Sequence, residues 1–77
     1  MIFESLRRNI DDIIGLEGEE FELHTLLFDD LDMDSLDMSQ LLVALEKEFK
    51  IDIEDKEASE FKTVLDMKNY LEVKINE

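Results

Sequence analysis

The sequence predicts a small all-α protein: a four-helix bundle of three longer helices and one short one, with a long loop after the first helix. Three observations carry this. Apolar residues recur every third or fourth position in three separate segments, the spacing that turns one stripe of a helix toward a core. There is no proline, and both glycines, Gly15 and Gly18, fall in one early stretch, so backbone-breaking chemistry is confined to a single connection. Finally, Asp34 with Asp37, and Thr63 with Asp66, have the three-residue spacing of a helix-opening capping box.

The first helix carries Phe3, Leu6, Ile10, Ile13 and Ile14 on its buried stripe, leaving Arg7, Arg8, Asp11 and Asp12 for solvent. It should end near Gly15, because a residue free to adopt positive φ suits a helix C-terminus. Residues 15 to 34 lose long periodicity. There Phe21, Leu23, Leu26, Leu27, Phe28 and Leu31 are expected to tuck a loop, with a short helical turn, against the bundle. The second helix begins at Asp34 or Ser35 and runs to about Lys50, burying Met38, Leu41, Leu42, Leu45 and Phe49. Asp34 is its N-cap, and losing such a cap costs ~1 kcal/mol. Ile51 and Ile53 alternate with acids, but two alternations are a weak strand signal, and the segment reads as a connector. A short helical turn is expected over Asp55 to Phe61. Thr63 then opens a last helix with Val64, Met67, Tyr70 and Leu71 inward.

Seventy-seven residues make a single domain, 1–77, with little room for a large core. At this size apolar burial and chain entropy nearly cancel. Twenty-two acids against eight Lys and Arg give a formal charge of −14. Nucleic-acid binding through phosphate neutralisation needs the opposite sign, so no nucleic-acid partner is expected. Acidity can mark disorder, but 44% of the residues are hydrophobic and they are periodic, which argues for a folded chain. There is no cysteine, hence no disulfide framework and no thiolate metal site. No stretch is long and apolar enough for a membrane, and MIFESLRRNIDD lacks the apolar core of a secretory signal. A cytoplasmic monomer is the expectation.

The chemistry concentrates in DLDMDSLDMSQLLVALEKEF, residues 30 to 49, where Ser35 stands among Asp30, Asp32, Asp34 and Asp37. A calcium loop of the EF-hand type would have its glycine at Ser35 and its bidentate glutamate at Leu41, so both key ligand features are missing. A nucleophilic serine needs a base and a group to orient it. The only histidine, His24, lies in the irregular segment with no signature linking it to Ser35, and an enzyme is not expected. On position alone Ser35 reads equally well as an ordinary helix-start residue.

Residue order shifts that balance. Asp34-Ser35-Leu36, preceded by Asp30-Leu31 and followed by Asp37-Met38 and Leu41, resembles the phosphopantetheine attachment motif of acyl carrier proteins. LLVALEKEFKIDI and FKTVLDMKNYLE are similar to that family's second helix, following loop and last helix, so the resemblance runs from about Phe28 to Glu72. It implies a four-helix bundle in which Ser35 receives 4′-phosphopantetheine from coenzyme A. A separate phosphopantetheinyl transferase performs that chemistry, which explains a serine without a base and a carrier without a cysteine. A helix start also suits a phosphodiester, because free N–H groups and the dipole favour an anion, although Asp34 and Asp37 repel it.

The resemblance further implies that Asp34 takes part in transferase recognition, in relatives often through a metal ion. It places Leu36, Asp37, Val43, Glu46 and Glu48 on a face read by acyl-transfer and synthase enzymes with basic docking patches. Met38 and Met67 would be adaptable linings for an acyl chain, although methionine at helical spacing is more often ordinary core. The implied function is to carry acyl intermediates as thioesters in fatty acid biosynthesis. A specialised carrier for a polyketide or other secondary pathway, and an acidic interaction protein that carries nothing, are the alternatives. Four departures from the family pattern stand out: Asp32 in place of a glycine, where positive φ would strain the loop; Gln40 and Lys47 in place of acids; no proline within KIDIEDKE; and Lys68 at a usually apolar position.

Overall fold

The computed structural model describes residues 2–16 and 20–76, so Gly18 lies outside the described residues. Four helices follow in order: α1 (Ile2–Ile14), α2 (Ser35–Phe49), α3 (Asp55–Ala58) and α4 (Val64–Ile75). Among the described residues there is no strand, only an isolated bridge between Leu26 and Thr63. The all-α class and the three-long, one-short pattern hold.

α1 packs against both α2 and α4, as its one-sided stripe requires. Leu6 and Ile10 are wholly buried, with Phe3, Ile13 and Ile14 packed at the core's edge. Gly15 closes the helix at φ +67, donating its N–H to the Asp11 carbonyl at 2.8 Å. Leu16 N–H then turns to the Asp11 carboxylate at 2.7 Å. A β-carbon would make that left-handed turn unfavourable, which is why glycine stands there.

Polar periodicity missed one member of this core. Asn9 is buried, and its amide donates to the Ser5 carbonyl at 2.7 Å and to Glu48 Oε1 at 3.2 Å. Once those bonds are made, a buried amide is tolerated. Its partner lies 39 residues away, beyond the reach of any local pattern.

The first loop corrects the expectation most. Phe21 and Leu27 are buried, but Leu23, Leu26 and Phe28 each remain more than a third exposed. The segment forms turns and no continued helix, and the short helical turn expected is the one that Asp30 N–H closes on the Leu26 carbonyl, which Leu31 N–H also reaches. Main-chain bonding fixes it alongside the burial of Phe21 and Leu27. Leu27 N–H donates to the Lys62 carbonyl at 2.9 Å, Val64 N–H to that of Thr25 at 3.1 Å, and Leu65 N–H to that of Leu23 at 2.7 Å. Backbone donors and acceptors must find partners wherever a loop lies on a core, and side-chain spacing cannot reveal where.

Past α2, Lys50 adopts the left-handed conformation at φ 56 and ψ 49 as the C-cap, and residues 51–54 form the expected connector. The helical turn expected through Phe61 stops at Ala58, although Phe61 still buries itself, edge-on to Tyr70 at 5.2 Å between centroids. α4 opens with the foreseen capping box, Asp66 N–H on Thr63 Oγ1 and Thr63 N–H on Asp66 Oδ2, both at 3.1 Å. Lys62 N–H adds a third bond to Asp66 at 3.0 Å. Val64, Met67 and Leu71 are buried as expected, whereas Tyr70 is only half-buried because its hydroxyl donates to Glu57 at 2.9 Å.

Candidate functional site

Ser35 is the first residue of α2. The chain reaches it in three steps. Asp32 takes a left-handed kink at φ 55, a conformation that aspartate tolerates less well than glycine. Met33 is buried and its N–H meets the Leu27 carbonyl at 3.3 Å, anchoring the approach to the core. Asp34, extended at φ −109 and ψ −177, is the N-cap. Its Oδ1 accepts from Asp37 N–H at 2.8 Å, while Asp37 Oδ2 accepts from Asp34 N–H at 3.2 Å. The reciprocal box satisfies two backbone donors and sets the helix axis. Met33 was missed in the sequence because it stands outside any periodic run; its alternation with Asp32 and Asp34 is the only local trace of it.

The outcome is an exposed Ser35 whose hydroxyl makes no hydrogen bond among the described residues. The main-chain N–H groups of Ser35 and Leu36 likewise precede the first intrahelical bond, which runs from Met38 N–H to the Asp34 carbonyl at 2.9 Å. Open donors at the positive end of a helix favour an anionic group there. Asp30 is committed elsewhere, its carboxylate accepting Leu26 N–H at 2.8 Å. His24 is exposed and lies 3.0 Å from Glu22 rather than beside Ser35. Among the described residues, no three His, Cys, Asp or Glu side chains gather to hold a metal ion.

At 3.6 residues per turn, Leu36 and Val43 lie two turns apart on one face of α2. Both are exposed, at 65% and 49%. Asp34 and Asp37 border the N-terminal end of that face. Glu46 sits on its flank with a carboxylate that accepts Ile53 N–H at 2.9 Å. Glu48 does not share the face, and the set expected there has to be corrected. It follows Leu41 by seven residues and Leu45 by three, so it turns toward α1. There it pairs with Arg8 and Asn9. The Ser5 hydroxyl first, then Asn9 and Arg8, hold its carboxyl below the ordinary 4.5 against partial desolvation. Met38 and Met67 are both packed into the core.

The family model described as phosphopantetheine attachment site matches residues 4–71. The chain belongs to the acyl carrier protein family. It is 38% identical over 77 residues to an acyl carrier protein of Clostridium acetobutylicum, covering all of both chains. It is 39% identical over 75 residues to one from Petrotoga mobilis, covering 97% of this chain and 88% of that one. In structure it is similar to a Mycobacterium tuberculosis chain assigned as an acyl carrier protein, with a TM-score of 0.89 at 33% identity, covering 95% and 97% of the two chains. Members of this family carry groups for transferases and synthases and as a rule catalyse nothing themselves. Among the described residues no helix is long and apolar enough to cross a membrane.

Proposed function

We propose that this chain carries acyl groups on 4′-phosphopantetheine attached to Ser35, as a cytoplasmic monomer serving fatty acid biosynthesis. The observation that carries the reading is the exposed, unbonded Ser35 hydroxyl at the first position of α2, within a chain that matches the attachment-site family. The residues fit the group. Ser35 Oγ offers the oxygen for a phosphodiester, and the Ser35 and Leu36 N–H groups face the anion that results. When bound, the group supplies a flexible arm ending in a thiol, on which acyl chains are held as thioesters. A phosphopantetheinyl transferase supplies the base that Ser35 lacks. Asp34, with one oxygen used by the cap, retains the other for that enzyme. Leu36, Val43 and Asp37 form the docking face, with Glu46 at its flank.

A specialised polyketide-type pathway is the second reading. It is favoured by one feature, the outward face of α2, where Gln40 and Lys47 are exposed instead of acids. An acidic interaction protein would share the charge but gives no reason for a free serine in register with both downstream helices. Incubation with coenzyme A and a broad-specificity transferase tests the carrier reading. Intact mass should rise by one phosphopantetheine for wild type and stay unchanged for Ser35→Ala. A folded wild-type chain that gains nothing removes the proposal.

A further inference from the structure

The outward face of α2 has a charge pattern at odds with the rest of the molecule. The chain carries −14, yet from Leu36 to the end of the helix that face presents Leu36, Ser39, Gln40, Val43 and Lys47, with Lys50 following as C-cap. Arg7 meets Glu20, Arg8 meets Glu48, Lys68 meets Glu72, and Lys74 lies over the Tyr70 ring, while Lys56 and Lys62, exposed and away from this face, form no ion pair among the described residues. Lys47 and Lys50 are exposed and form no ion pair among the described residues. Glu46 and Asp52 border the same spot, but Glu46 is held by Ile53 N–H. Two shallow hollows, about 430 and 410 Å³, meet at Val43 and Lys47, leaving room for incoming side chains between the two ammonium groups. A lysine in a last helical turn also complements the dipole, so stability alone explains part of Lys47, but not a stripe that carries cations and no acid past Asp37.

We propose that this face is read by a partner protein of mixed charge rather than a uniformly basic one. Resting on the carrier reading above, the partner offers basic groups to Asp34 and Asp37, an apolar hollow to Leu36 and Val43, and a carboxylate between Lys47 and Lys50. Thirteen residues separate Asp34 from Lys47, about 20 Å along the axis. That exceeds the screening length of ≈ 8 Å at physiological salt, so the two ends are recognised independently. A uniformly basic patch would place like charge against Lys47 and Lys50, which selects against such partners.

Two probes test this: a bacterial β-ketoacyl synthase whose carrier-docking patch is wholly basic, and a variant of it with glutamate opposite the C-terminal end of α2. Dissociation constants come from ¹⁵N amide titrations of the whole chain, unloaded, as wild type, Lys47→Glu/Lys50→Glu and Lys47→Gln/Lys50→Gln. Wild type should bind the glutamate-bearing synthase at least fivefold more tightly than the basic one. The Glu pair should reverse that preference, with the Gln pair between. A dipole role alone would lower the melting temperature of the Gln pair without altering which synthase is preferred. A preference that moves less than twofold, or a wild type that favours the basic patch, overturns the proposal. Failure to load Ser35 in a parallel mass assay would instead remove the carrier reading while leaving the titration readable.

Discussion

Asp34 holds two positions at once, as N-cap of α2 and as the carboxylate beside Ser35, and the two roles separate by substitution. Asn caps nearly as well as Asp, whereas Ala does not. Asp34→Asn should therefore keep its melting temperature within a degree or two while transferase loading slows at least tenfold. Asp34→Ala should lose ~1 kcal/mol as well. Equal loading by wild type and the Asn variant would confine Asp34 to the cap. At this scale the capping pairs were legible because hydroxyls and carboxylates three residues ahead of an apolar run have one main use. At Asp32 the sequence left open whether the loop is strained or differently routed, and its φ of 55 shows the left-handed course. Asn9 and Met33 were not legible, since what satisfies or buries each lies far along the chain.

The junction of α1 with α2 is where the elements acquire pH dependence. Glu48 is held by Ser5, Asn9 and Arg8, with its carboxyl below the ordinary 4.5. A carboxyl depressed in the folded state stabilises it fully above its unfolded value, and loses that contribution as pH falls through the folded one. Asp66, held below 3.8 by the N–H groups of Lys62 and Thr63 and the Thr63 hydroxyl, acts in the same direction at the start of α4. Glu48→Gln should therefore be less stable than wild type at pH 7, with the gap closing as pH drops below about 4.5. Thermal melts of both chains across pH 7 to 3 check this; a gap that widens toward acid would contradict it. Unlike α3, which ends at Ala58 rather than Phe61, the three longer helices were readable because 3.6-residue periodicity and caps are local. The first loop was not, because its Leu23, Leu26 and Phe28 look like core residues while main-chain bonds to residues 62–65 hold it in place.

At the scale of the whole molecule, a charge of −14 on 77 residues opposes compaction while favouring rapid encounter with basic surfaces. Screening relaxes that self-repulsion, so the melting temperature should rise between low and physiological salt; a flat dependence would contradict it. The all-α plan followed from spacing and the family from residue order, whereas the cations exposed along the α2 face required knowing which side chains already pair. The most direct test of the account is fragmentation mass spectrometry of the folded chain after exposure to coenzyme A and a broad-specificity transferase. The account predicts one phosphopantetheine, confined to the peptide bearing Ser35. An unmodified serine on a well-folded chain, or modification at any other residue, would contradict it.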